Sequence, residues 1–314
     1  MLEERILKHL VFILMILAYQ PLVSGQAKVS ELAVAPANAE HFTIMSTAGV
    51  HGHSDRWIAP DGSLMGRESL ALRGQVSEVD SKTHLGADHM MDSLSIRGFT
   101  PQGDAAETFS IAKGIATWKS PVDGASTPYA RPALYSPFGG PIDTTALLAE
   151  TALAAPDHSV PMLPGGVARL EKLTSATVGE GANKKTVTAY ALSGIFNTPI
   201  PLWMDEKGKF FALDSGLTWI PAGYESYQPV LDKAQDAALA LLSGLKSKEL
   251  ATTPAGPLAF THVRSFVDGS HFVEDETIVV DKGIITQVGP SATTQAPADA
   301  RIFDGQGKAL VPGL

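Results

Sequence analysis

Two histidines one residue apart, His51 and His53, are the first place in this chain where chemistry could sit. On a strand, residues i and i+2 face the same side, so both imidazoles can reach one metal ion. A working site also needs a third ligand and partners that orient the rings. His84 and His89 lie downstream, but no acidic residue stands at telling spacing, and the nearby glycines suggest a loop. Ser110 to Lys113 and Ser243 to Lys246 repeat the Ser-x-x-Lys spacing that sets a lysine one helical turn from a nucleophile. The first lies in strand-like sequence, and neither is followed by Ser-Asp-Asn or Lys-Thr-Gly. Both read as solvent-facing polar residues. Gly179-Glu180-Gly181 ahead of Lys184-Lys185-Thr186 misses the phosphate-loop spacing and precedes a strand where a helix is required, so a hairpin turn is expected. There is no Gly-x-Ser-x-Gly elbow. Composition and spacing therefore assign no catalytic, cofactor-binding or metal-ligating residue.

The elements around these residues are bounded by composition. The chain has 314 residues, 44% hydrophobic and 18% charged, which fits about two folded domains and excludes bulk disorder. A net charge of −9 argues against a general nucleic-acid binder, which needs clustered Lys and Arg. The absence of cysteine removes disulfides, thiolate zinc sites, iron–sulfur clusters and cysteine nucleophiles together. Gly (29) and Pro (21) are frequent, which favours many turns and short strands.

Residues 1–27 read as a signal peptide. Leu10 to Ala18 is an unbroken apolar run, too short for the ~20 residues of a bilayer span. Gly25-Gln26-Ala27 supplies small residues before a cut after Ala27, although Glu3 and Glu4 offset Arg5 and Lys8. Export to a periplasm or the cell exterior is expected. With no transmembrane anchor after cleavage and no cysteine near the cut, no lipid anchor is expected either.

From about His41 to Trp118, short alternating segments with turn signals such as Pro60-Asp61-Gly62 predict an antiparallel meander. Asp143-Thr144-Thr145 can cap a helix over 143–155, ended by Pro156. Strands resume at Arg169, with a hairpin tip at Asp205 to Gly208. A second helix is predicted over 229–245, with Gly244 near its end. Trp203, Phe210, Phe211 and Trp219 are expected in the core of this sheet. Residues 40–246 thus form a β-rich domain, 247–257 a linker and 258–314 a second strand-rich domain.

That second domain carries the specific signal. PLAFTHVRSFVDG, ETIVVDKGIITQVGP and PADARIFDGQGKALVPGL strongly resemble the start of the amidohydrolase superfamily, metal-dependent hydrolases whose first strands begin a composite β-sandwich beside a catalytic barrel. Gly269, Gly283, Gly289, Gly305 and Gly307 fall where tight turns between such strands need a left-handed backbone. Lys282 lengthens the second turn, a mild departure. In the family the first barrel strand follows Pro-Gly-Leu and carries Asp-x-His-x-His; this sequence stops at Leu314, so it is expected to be an N-terminal piece, inert by itself. LPGGVARLEKL, YALSGIFNTPIPLWMDEKGKFFAL and the helix around Gln235-Asp236 are similar, less specifically, to a β-rich extension ahead of the sandwich in some exported members.

The expected fold is mainly β: an antiparallel extension with a few helices, then a partial β-sandwich without the barrel. The resemblance implies a hydrolase that, when whole, acts on amide-like C–N bonds of a small molecule or peptide through a hydroxide on a divalent metal, zinc by preference. No cofactor is expected in this chain itself. The other class left open is a secreted, non-catalytic β-rich module that binds a lipid or peptide.

Overall fold

The computed structural model describes residues 26–129, 132–267 and 269–313. The expected leader, apart from Gln26 and Ala27, lies outside the described residues. No helix among them is long and apolar enough to cross a membrane. The chain is mainly β and divides into two compact units between Leu242 and Ser243.

The alternating segments become β1 (Glu40–Ser46), β2 (Gly49–Ile58), β3 (Leu64–Leu72), β4 (Gln75–Leu85), β5 (Met91–Thr100), β6 (Gly103–Asp104), β7 (Glu107–Ala112), β8 (Ile115–Lys119) and β9 (Gly124–Pro128). Turn chemistry sets the hairpins. Asp61 Oδ1 accepts from the Ser63 amide at 3.1 Å while Gly62 takes φ +83°, closing the β2–β3 turn. Then come β10 (Leu134–Tyr135), α1 (Ile142–Ala154), β11 (Ser159–Leu163), β12 (Val167–Val178), β13 (Lys185–Ser193), β14 (Ile200–Asp205), β15 (Phe210–Asp214), β16 (Thr218–Pro221) and α2 (Gln228–Leu250). The Gly179 to Lys184 segment is the β12–β13 connection, as its sequence predicts.

All these strands join one sheet, ordered β10-β11-β12-β13-β14-β15-β16-β1-β2-β3-β4-β5-β7-β8-β9, with β6 beside β5. The pairs are antiparallel except β10 with β11. The junction is β1 with β16, where Ile44 faces Trp219. Helix α1 touches both β2–β3 and β11–β12. In a flat sheet β3 and β11 would stand about 38 Å apart, whereas a helix of this length spans about 20 Å. The sheet is therefore curved around α1, and the enclosed core includes Phe42, Leu94, Ile96, Phe109, Leu147, Leu148, Leu202 and Met204.

The outer face of the same sheet has a second core. On β14, Leu202 and Met204 turn toward the α1 side and Trp203 toward α2, where it packs with Phe211, Ile220 and Leu231. This is why LWM and FFAL are unbroken apolar runs: both faces of these two strands are covered. Trp203 Nε1 donates to Gln235 Oε1 at 3.0 Å, and Gln235 Nε2 donates to the Asp214 carbonyl at 2.9 Å, pinning α2 to the sheet.

Two helix ends differ from expectation. The residue before α1 is Pro141, which makes no side-chain cap, and Asp143 lies inside the first turn, buried. Its carboxylate accepts from Ser81 Oγ on β4, because tertiary contact outcompetes local capping. Helix α2 runs through Gly244 to Leu250, so the first four residues of the stretch expected as linker are helical. Lys and Glu around Gly244 are good helix formers, and Lys246 pairs with Glu249 at 3.3 Å. Only residues 251–257 lack regular structure before the next strand. Limited proteolysis is expected to cut there first, since exposed backbone outside helices and strands fits a protease cleft. A first cut within 190–220 would count against it.

The C-terminal unit is a single sheet of β17 (Leu258–Val267), β18 (His271–Asp281), β19 (Ile284–Pro290), β20 (Arg301–Asp304) and β21 (Ala309–Leu310), ordered β19-β18-β17-β20 with β21 also on β17. β17 runs parallel to β20 over Leu258 to Thr261 and to β21 over Arg264 to Ser265. The Asp304 to Lys308 turn bridges that break: the Gly305 and Gly307 amides each donate at 2.7 Å, to the Thr261 and His262 carbonyls. Gly305 is required by space, since a Cβ there would sit 2.5 Å from Val263 Cγ1.

Candidate functional site

A cleft in the N-terminal unit encloses about 720 Å³. Its floor is Glu68 on β3 and Trp219 on β16. Its walls are the first turns of α1, Ser136 to Gly140, and the Ile195 to Pro199 loop. Most of this lining is apolar or aromatic, and Phe138 and Phe196 expose their rings. A volume of this size suits a small organic ligand.

Glu68 is the chemical feature. It is only 6% exposed. Its Oε2 accepts from Trp219 Nε1 at 3.0 Å and from the Ile142 amide at the start of α1 at 3.2 Å. Burial pushes the Glu68 carboxyl up to about 7, despite those two hydrogen bonds. The Ser54 hydroxyl also opposes the rise, more than the Ile142 amide does. The neighbouring Asp143 adds to the rise by repulsion, and burial raises its own carboxyl to about 6, opposed by Ser81 and Arg56. Gly66, two residues before Glu68, makes this approach possible: a Cβ there would lie 2.3 Å from Asp143 Oδ1.

On the far side of Phe138 to Gly140 is a second cavity of about 530 Å³, also lined by Glu68. There Glu107 accepts from Tyr135 Oη at 2.7 Å and from the Phe138 amide at 3.0 Å. Burial raises the Glu107 carboxyl and the Tyr135 phenol. These bonds hold the Ser136 to Gly140 wall. The cleft therefore offers one protonatable carboxyl in apolar surroundings, able to donate when neutral and to accept or pair when charged.

The other candidates lie elsewhere. His51 and His53 are both on β2, so the strand was more regular than the neighbouring glycines suggest. His51 Nε2 lies 2.7 Å from Ser46 Oγ, and His53 Nε2 lies 3.7 Å from Asp55 Oδ2. The other Asp55 oxygen is 2.6 Å from His41 Nδ1. Asp55, two residues past His53 on the same face, is the partner whose spacing was visible and unused. His84 and Asp92 approach to 3.8 Å. Among the described residues no three His, Asp or Glu side chains are placed to hold a metal ion, so no donor set here fits the divalent metal the resemblance implies. Ser110 is on β7 with Lys113 in the following turn, and Ser243 and Lys246 are on α2. Trp203, Phe210 and Phe211 are buried core, but Trp219 is partly exposed and lines the cleft.

Comparisons with known protein families, curated proteins and solved structures find no match to this chain.

Proposed function

We propose that this chain is the N-terminal part of an exported, metal-dependent hydrolase of the amidohydrolase type, acting when whole on amide-like C–N bonds. The observation that carries this reading is the C-terminal unit. The three segments that carry the resemblance fold together, with β17 flanked by antiparallel β18 and parallel β20. It also leaves Ile284, Ile285, Val288, Ile302, Phe303 and Val311 exposed, apolar side chains on both faces of its sheet that further strands of a longer chain would cover. No residue described here receives a catalytic role. The test is an antibody against residues 258–313 used on native cells. A captured species longer than 314 residues that retains metal and hydrolyses a dipeptide or lactone, with loss of activity on chelation, supports it. A captured species of this length without metal or hydrolysis overturns it.

A second reading is favoured by the cleft. The N-terminal unit, a sheet curved around an apolar interior, acts as a non-catalytic binding module for a lipid-like or peptide-like molecule.

A further inference from the structure

We propose that the cleft at Glu68 binds a primary ammonium group carried on an apolar body, with the ammonium on the Glu68 carboxylate and the body against Trp219, Leu148, Ile195 and the exposed rings of Phe138 and Phe196. This rests on the second reading above and adds the head group.

The argument is one of complementarity. Glu68 Oε2 is committed to Trp219 and Ile142, and the Ser54 hydroxyl is the one further side chain that eases the charge of this carboxyl. No described Lys, Arg or His forms an ion pair with Glu68; the nearby Arg56 is engaged with Glu150 at 3.3 Å and Glu40 at 3.6 Å. Asp143 stands beside Glu68 and adds negative potential without adding a donor. A buried carboxylate lining a cleft with no counter-ion is completed by a cation that brings its own hydrogen bonds. An anionic head would meet the Glu68 carboxyl, with the repulsion of Asp143 added from outside the lining. A neutral alcohol could serve the carboxylate but leaves the charge uncompensated. The apolar walls require that the cation be small and the rest of the ligand hydrophobic. A free alkylamine and the N-terminus of an apolar peptide share this chemistry.

The test is calorimetric titration of the full chain at pH 8 with octylamine, octanol and octanoate below their aggregation concentrations, and with dileucine amide. Octylamine or dileucine amide is expected to bind about tenfold tighter than octanol or octanoate, as a charge-assisted hydrogen bond should add; which of the two binds identifies the source. Glu68→Gln is expected to abolish that preference, so that the amines and octanol then bind alike. Octanol or octanoate matching the amines overturns the head-group assignment and leaves the binding module standing. No binding by any of the four overturns both. The comparison among ligands on the native protein needs no variant, so misfolding of Glu68→Gln leaves the test intact.

Discussion

Trp203→Ala is expected to destabilise the N-terminal unit by about 3–5 kcal/mol, the usual cost of removing a buried tryptophan. Trp203 is 0% exposed on β14, packed between β13, β15 and α2 with Val187, Ala189, Phe211 and Leu231. Truncation removes that packing and leaves Gln235 Oε1 without its donor. The helix is held to the sheet mainly through Leu231, Gln228 and Gln235, its only fully buried residues, so the loss should be felt along α2. For a unit of this size the midpoint should fall by about 6–20 °C. Trp203→Phe keeps most of the apolar volume and removes only the donor, so it should cost less, about 1–3 kcal/mol. All four tryptophans, Trp57, Trp118, Trp203 and Trp219, lie in the N-terminal unit, so the remaining three still report its unfolding by fluorescence. A loss below about 1 kcal/mol in Trp203→Ala would mean the site collapses without a cavity and that α2 is held by something else.

How much of this could be read in advance depends on the range of the interaction. The hairpins were legible because their signals are local. Asp205 to Gly208 closes β14 to β15 through Asp205 Oδ1, which accepts from the Lys207 and Lys209 amides. The mainly β class follows from many such turns. The joining of two strand series into one sheet was not legible, because it depends on the pairing of β1 with β16, and nothing local to Thr43 specifies Ile220 as its partner. Curvature around α1 follows from that pairing, so it was hidden too. Glu68 had a faint signal: it shares strand parity with Leu64, Gly66 and Leu70, an acid on an otherwise inward-facing row. Its partners come from 151 and 74 residues away, and only the fold brings them together. Trp219 read as core for the same reason, since its polar edge needs a distant acid to reveal that it lines a site.

The native protein is expected to lose stability as pH rises from 4.5 to about 7, and Glu68→Gln is expected to remove most of that loss. The sign follows from proton binding. Burial raises the Glu68 carboxyl in the folded protein from its ordinary 4.5 to about 7, so across that window the folded state holds a proton that the unfolded state has released. Stability is therefore full below 4.5 and falls until the folded-state value is passed, by about 3 kcal/mol at 1.36 kcal/mol per unit. Asp143, raised by burial from 3.8 to about 6, acts in the same direction over a lower window and titrates jointly with its neighbour. Carboxyls held low, such as Asp61 at about 2 beside Lys82, act below their ordinary range and leave this window untouched. Glutamine at 68 keeps an oxygen to accept from Trp219 and Ile142 but carries no charge at any pH, so the variant should equal the native protein near pH 4.5 and exceed it by up to about 3 kcal/mol at pH 8. Urea unfolding followed by tryptophan fluorescence at several pH values measures both curves. Parallel curves would show that Glu68 is solvated in the folded state, and the cleft would then present no uncompensated charge for a ligand cation to meet. Curves that meet near pH 4.5 and separate toward pH 8 would show that the protein keeps at Glu68 a carboxylate that weakens its own fold, which is the condition under which a cationic ligand has most to gain by binding there.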